Sequence, residues 1–320
     1  VFERGEHVSF SNCSLPYHLS GVVDSSEELV LTTPQTLKGN YNIDARVRHE
    51  VIDIDRSKNE VIVKNLNTGE IYRENYDKLV LSPGARVPLP PIKGLDEITY
   101  FTVRDVRDAD TLRKRIAETG GANVVVVGGG FIGVETAENL QMAGCNVALV
   151  EMMPQILLTF DFDMVQILQK EMTDKGIKLC LNQAVRAFEN GQAVLDSGEK
   201  LPADIVVMAT GAVPVSDLAE KSGLELTGRK AIKVDTNFLT SDPDIYAIGD
   251  AVEVYHRLSG QMAPLALAGP ALKQARFIAD HMYGRYTMNT GYIGSSCLQV
   301  FDYNGAVTGL TENIIKRDRK

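Results

Sequence analysis

Residues 123–151 constrain this chain more than any other segment. Asn123 opens an apolar run through Val127, the glycines Gly128, Gly130 and Gly133 follow, and a second apolar run, 146–150, ends at Glu151. The spacing Gly128-x-Gly130-x-x-Gly133 fits the fingerprint of a dinucleotide-binding strand–helix–strand unit. Gly128 permits the tight turn, Gly130 lets the backbone approach a pyrophosphate, and Gly133 lets the helix pack close to the strand. Phosphates would then sit at the helix N-terminus, against free N–H groups and the positive end of the dipole. An acid about 20 residues past the glycines suits a ribose 2′-hydroxyl and repels a 2′-phosphate, which favours NADH over NADPH. A glycine turn with no ligand is the plain alternative. Phe131, beside Ile132 in the turn, can be read as cover for a flavin face or as core.

The rest of the chain alternates in type. Residues 41–82 read as β structure with polar turns at 57–59 and 67–69, and 77–81 as a buried strand ending at Ser82-Pro83-Gly84. Pro88 to Pro91 can continue neither helix nor sheet and reads as a linker. Helices are predicted over 108–119, 163–175 and 269–283, and strands over 177–181, 193–195, 205–209 and 245–248. Strands alternating with helices indicate an α/β fold with a parallel sheet covered on both faces. At 320 residues, two or more domains are expected.

Composition excludes several classes of partner. The formal net charge is −9, against nucleic acid or an anionic membrane surface. Apolar runs such as 124–127 are far too short to span a bilayer. The four cysteines, at 13, 145, 180 and 297, show no CxxC and no Cys/His cluster, so no metal site is expected. The plain reading of each is a buried, reduced core thiol in a cytoplasmic protein. The chain opens on Val1-Phe2-Glu3-Arg4, which reads as the tail of a strand already under way. Glu3 and Glu151 each end an apolar strand, a weak internal duplication.

Residues 240–251 form a short strand running into Gly249-Asp250-Ala251. With Ser82-Pro83-Gly84-Ala85, Ala209-Thr210-Gly211-Ala212 and Ala268-Gly269-Pro270, this segment resembles the pyridine nucleotide–disulfide oxidoreductases, two-dinucleotide flavoproteins, over nearly the whole chain. The resemblance implies two Rossmann-like domains: an FAD domain (1–103 and 213–290) interrupted by an NAD(H) domain (104–212), with 291–320 opening an α+β dimerisation domain. It implies Glu3, Arg4, Ser82, Pro83, Gly84, Gly249, Asp250 and Ala268 as FAD contacts. Gly128, Gly130, Phe131, Ile132, Gly133, Glu151 and Gly211 would serve NADH. Alone, Gly249-Asp250 would read as a turn with a polar cap. The family's first glycine turn is expected just before Val1, and the last domain is expected to run past Lys320.

Ser9-Phe-Ser-Asn12-Cys13-Ser-Leu-Pro-Tyr17 carries one cysteine where glutathione-reductase-like members carry two. A lone thiol must cycle through a mixed disulfide, a persulfide or a sulfenic acid. The pattern resembles coenzyme A–disulfide reductases and the related persulfide and polysulfide reductases. It implies Cys13 as the redox residue and Ser9 and Asn12 as contacts to a small coenzyme A-type disulfide or persulfide, in a homodimer. Without the resemblance, Cys13 reads as a structural thiol and Ser9 and Asn12 as turn caps. The other enzymatic reading is an NADH oxidase or peroxidase using a Cys13 sulfenic acid. A non-catalytic nucleotide-binding redox fragment is the third. A reactive thiol needs a lowered pKa, expected here from an oxidised flavin and a helix N-terminus.

Overall fold

The structure, a computed structural model, describes residues 1–285 and 288–318. Residues 286, 287, 319 and 320, which belong to the expected 213–290 and 291–320 segments, lie outside the described residues. The fold is mixed α/β, and the chain divides into two compact units. Among the described residues, no helix is long and apolar enough to cross a membrane.

One unit comprises Phe10–Leu31, Val87–Ala212 and the chain from Ser295 onward. Its centre is a five-stranded parallel sheet in the order Tyr100–Phe101, Ile205–Met208, Asn123–Val127, Asn146–Glu151, Lys178–Leu181. Val124 to Val127 and Ile205 to Met208 are buried on both faces, which explains their uninterrupted apolar runs. The crossing from Lys178–Leu181 to Ile205–Met208 is made by an antiparallel sheet of Val185–Glu189, Gln192–Leu195 and Lys200–Pro202. The Val106–Thr119 helix starts where the Asp105 side chain accepts the Asp108 N–H at 2.8 Å. Its buried stripe of Val106, Ala109, Leu112 and Ile116 keeps helical spacing, and Gly120 at φ +52° ends it.

The other unit comprises Val1–Ser9, Thr32–Arg86 and Val213–Gly294. Phe2–Glu3 pairs parallel with Arg46–Val47, and Leu79–Leu81 parallel with Ile245–Ala247. His49–Asp55, Glu60–Asn65 and Ile71–Asn75 form the antiparallel meander expected from the turns at 57–59 and 67–69. The core runs through Ile54, Val61, Val63, Leu81, Phe238, Ile245 and Ile278.

The compact units are cut differently from the domains expected from the sequence. Residues 10–31 group with the parallel-sheet unit because Leu15, Leu19 and Leu29 are buried in the same core as Val124, Leu140 and Leu149. Each such side chain contributes roughly 1.5–3 kcal/mol. The Pro34–Tyr41 helix was not expected. It buries none of its residues and depends on its ends: Thr33 accepts the Thr36 N–H at 3.2 Å, and Asn42 closes it at φ +54°.

Candidate active site

The sheet's strand order reverses between Asn123–Val127 and Ile205–Met208, and the glycine turn lies at that switch point, the usual place for a ligand in an open α/β sheet. Gly128 sits at φ +113°, and a Cβ there would stand 2.2 Å from the Ala209 carbonyl oxygen. A Cβ on Gly133 would stand 1.9 Å from the Gly128 carbonyl oxygen. By contrast, a Cβ on Gly130 would meet nothing within 4 Å, so the space above it is open. Gly130 is the N-cap of the Phe131–Met142 helix, whose first turn has no side-chain cap and no acid. Open space, bare N–H groups and a positive dipole end together make a cradle that fits a pyrophosphate.

Glu151 stands beside this cradle. One carboxylate oxygen accepts the Gly129 N–H at 2.6 Å and the other the Met153 N–H at 2.8 Å. The carboxylate is therefore fixed and still has acceptor positions for two ribose hydroxyls. No Lys or Arg occurs from 151 to 158 to meet a 2′-phosphate. Gly211, at φ +104°, is open around its Cβ position, and Ile132 is exposed. The Phe131 ring packs 6.3 Å from Phe160 and against the core, which accounts for it without a ligand.

In the other unit, Ile248 N–H donates to the Leu81 carbonyl at 3.0 Å, and Gly249 N–H to Gln274 Oε1 at 2.7 Å. Gly249–Ala251 thereby lies against the Ala268–Met282 helix, whose N-terminus is uncapped and carries no acid. Gln274 is fully buried, yet its Nε2 has no partner among the described residues. An orphaned buried donor behind an uncapped helix start fits a polar group such as a flavin nucleotide. Ser82 and Pro83 are exposed, and Gly84, at φ +75°, accepts the Val215 N–H at 3.0 Å. Ala268 is the exposed first residue of its helix. Glu3 accepts the Gly5 N–H at 2.6 Å, and Arg4 is exposed.

Cys13 occupies the three-residue turn Asn12–Ser14, which runs into the Leu15–Leu19 helix. Burial of Leu15 and Leu19, and the Ser20 hydroxyl donating to Asn139 Oδ1 at 2.6 Å, seat that helix on Phe131–Met142. Buried His18 lies between the Val23 carbonyl at 2.9 Å and Asp110 at 3.0 Å. Asn12 is exposed on the same turn as the thiol, and Ser9 is half-buried in the strand Ser9–Phe10.

One expectation about the thiols is corrected here. Cys145 and Cys180 are buried as expected, but Cys13 and Cys297 are exposed. The protein's own groups around Cys13 raise its pKa, so any lowering has to come from a bound flavin. Although the side chain is exposed, partial desolvation by the surrounding atoms is the main cause, followed by the electrostatic influence of Glu135 and Cys297. A five-residue helix is too short to offer much dipole in compensation.

Tyr17, Glu135, Glu138 and Cys297 were not assigned to the site from the sequence; Glu135 and Cys297 act electrostatically on the thiol, and Glu135, Glu138, Cys297 and Cys13 on the Tyr17 phenol. Glu135 and Glu138 sit three residues apart on the Phe131–Met142 helix, a faint signal in a segment otherwise rich in buried positions. Glu138 is buried. One of its oxygens accepts the Phe301 N–H at 2.6 Å, and the other has no partner among the described residues. Burial, together with Glu138, pushes the Glu135 carboxyl up to about 7. Burial and the neighbouring acids push the Tyr17 phenol up to about 12, so it remains a neutral donor at physiological pH.

A raised carboxyl pKa favours the folded state below the unfolded value and loses that contribution as pH rises through about 7. Replacing Glu135 with Gln should therefore flatten the fall in thermal stability between about pH 5 and pH 8, a difference on the order of 1–3 kcal/mol. It should also shift the pH dependence of Cys13 alkylation to lower pH, because the anion that disfavours the thiolate is gone. An alkylation profile shifted upward would contradict this placement.

Residues 1–275 match the family model described as pyridine nucleotide-disulphide oxidoreductase. Among curated relatives, the chain is 36% identical over 315 residues to an NADH oxidase of Methanocaldococcus jannaschii, covering 97% of this chain and 70% of that protein. It is 31% identical over 318 residues to a coenzyme A disulfide reductase of Staphylococcus aureus, covering 99% of this chain and 72% of the other. Among solved structures, it resembles reduced Bacillus anthracis CoADR-RHD with a TM-score of 0.97 and 40% identity over 99% of this chain. The chain spans 57% of that solved chain.

Proposed function

The chain belongs to the pyridine nucleotide-disulphide oxidoreductase family, and from that premise we propose that it uses NADH and FAD to reduce a small disulfide through Cys13. Coenzyme A disulfide, or a persulfide of coenzyme A, is the substrate class. The observation that supports this reading best is the open glycine turn at the uncapped, acid-free start of the Phe131–Met142 helix, with exposed Cys13 on the turn that leads into the Leu15–Leu19 helix packed on it.

FAD, when bound, supplies the conversion between a hydride and the electron pair that a disulfide accepts. The rest belongs to this chain's residues. Gly128, Gly130 and Gly133 seat the pyrophosphate, and Glu151 takes the ribose hydroxyls. Gly211 and Ile132 border that site. Gly249, Asp250, Ala268 and the Ser82–Gly84 segment, with Glu3 and Arg4, hold the flavin nucleotide. Cys13 attacks one sulfur of the substrate and holds one half of it as a mixed disulfide. Ser9 and Asn12 orient that half, and the neutral Tyr17 phenol donates a hydrogen bond to the leaving sulfur. The working protein is proposed to be a cytoplasmic homodimer.

The test is steady-state NADH oxidation by the full-length protein with coenzyme A disulfide, polysulfide, peroxide and oxygen in parallel. Disulfide-dependent turnover supports the proposal. Oxygen or peroxide consumption without any response to disulfide would favour the oxidase or peroxidase reading. Glu151 makes a separate prediction. Glu151→Gln should lower the ratio of kcat/KM for NADH over NADPH by about tenfold, 1.4 kcal/mol of discrimination. An unchanged ratio would refute its assignment to the ribose.

A further inference from the structure

The Leu15–Leu19 helix, which leads out of the Cys13 turn, is five residues long and has no side-chain cap. A helix this short does not hold its own shape, so its position is set by what it packs against. Leu15 and Leu19 seat it by burial in the core. His18, 2% exposed, is its buried ionisable residue and takes no part in the chemistry proposed above. The ring is bonded on both sides. Nε2 lies 3.0 Å from Asp110 Oδ1 on the Val106–Thr119 helix. A carboxylate only accepts, so Nε2 carries a proton. Nδ1 faces two groups with opposite demands, the Val23 carbonyl oxygen at 2.9 Å and Arg113 Nη1 at 3.0 Å. Arg113 also donates to the Val23 carbonyl at 3.4 Å, to the Asp24 carbonyl and to the Asp24 carboxylate at 3.2 Å. With a proton on Nδ1 the ring donates to Val23 directly. Without one it accepts from Arg113, which still serves Val23. The Val23 carbonyl is therefore held in both states, and the Val23 N–H donates to the Tyr17 carbonyl at 3.2 Å.

We propose that His18 is a positioning residue for the disulfide reaction: by tying its helix to Asp110 and Val23, it fixes where the Cys13 thiol and the Tyr17 phenol stand. The inference rests on the reading of Cys13 given above. For packing alone, an apolar side chain of similar volume would fill the site at less cost, because a buried imidazole loses its hydration and regains it only through well-placed hydrogen bonds. What the polar ring adds is direction. Asp110 and Val23 hold it from opposite sides, so the helix can neither roll about its axis nor slide along the core. Cys13 lies just ahead of that helix, on a turn with no side-chain cap, and Tyr17 lies within it. A roll of the helix is therefore passed on to both groups. A displacement of about 1 Å at reacting atoms costs as much as about a hundredfold in rate.

The test compares full-length, flavin-loaded wild-type protein with His18→Leu, His18→Gln and Asp110→Ala. Leucine keeps the volume without the hydrogen bonds. Glutamine keeps one donor for Asp110 and one acceptor for Arg113. Asp110→Ala removes the partner from the neighbouring helix at a half-buried position. The kcat for coenzyme A disulfide should fall about tenfold in His18→Leu and about fivefold in Asp110→Ala, and return to within about threefold of wild type in His18→Gln. Reduction of the flavin by NADH, followed by rapid mixing, should stay within about twofold of wild type in all three variants. Wild-type disulfide turnover in His18→Leu or in Asp110→Ala, or a loss in His18→Leu that His18→Gln does not restore, would overturn the inference and leave the proposed function standing. Wild-type protein inert toward coenzyme A disulfide would overturn both. Asp110→Ala decides the matter if the His18 variants fold poorly.

Discussion

Cys13→Ser in the full-length protein should lower NADH-dependent disulfide reduction by about a thousandfold or more. A hydroxyl cannot exchange with a disulfide, and in the proposed scheme Cys13 is the residue that attacks the substrate sulfur. The side chain is exposed, so the change removes no core packing. The nucleotide cradle is untouched, and reduction of the flavin by NADH should proceed at nearly the wild-type rate. Rapid mixing followed at the flavin absorbance band separates the two half-reactions. Undiminished disulfide turnover would remove Cys13 from the mechanism.

The second large effect is expected at Gly133. An alanine Cβ there would stand 1.9 Å from the Gly128 carbonyl oxygen and 3.4 Å from the Ala209 Cβ. Gly128 is itself fixed, because its N–H donates to the Val150 carbonyl at 2.8 Å and the Ala209 carbonyl leaves no room for even a Cβ beside it. Gly133→Ala must therefore push the helix away from the turn. It should cost about 3 kcal/mol of stability in this unit and weaken NADH binding by about a hundredfold. Gly130→Ala is the informative companion. Its Cβ would enter open space, and φ is −74°, so folding should be unaffected. That open space is where the pyrophosphate is proposed to lie, and NADH affinity should fall by about tenfold or more. Thermal melting and NADH fluorescence titration read the two effects separately. Unchanged NADH affinity in Gly130→Ala would contradict the cradle.

What the sequence disclosed follows from how local each signal is. The strand, turn, helix and acid of residues 123–151 lie within one short stretch, and backbone sterics alone force glycine at 128 and 133. The helix over 106–119 is legible from its apolar spacing and Gly120 stop. The Pro34–Tyr41 helix left no such trace, because it buries nothing and contains Gly39. The thiol site was half legible. Cys13 stood out through its neighbours, but its relation to Cys297 and Glu135 arises only when two distant segments fold onto one helix. The placement of residues 10–31 was likewise decided by burial of Leu15, Leu19 and Leu29, which no local pattern announces.

The most direct test of the account is the thiol yield of an anaerobic reaction. Full-length, flavin-loaded protein is given a limiting amount of NADH and excess coenzyme A disulfide with oxygen removed. The account predicts two coenzyme A thiols released for each NADH oxidised. NADH that stays unoxidised until oxygen is admitted, with no thiol released, would contradict it.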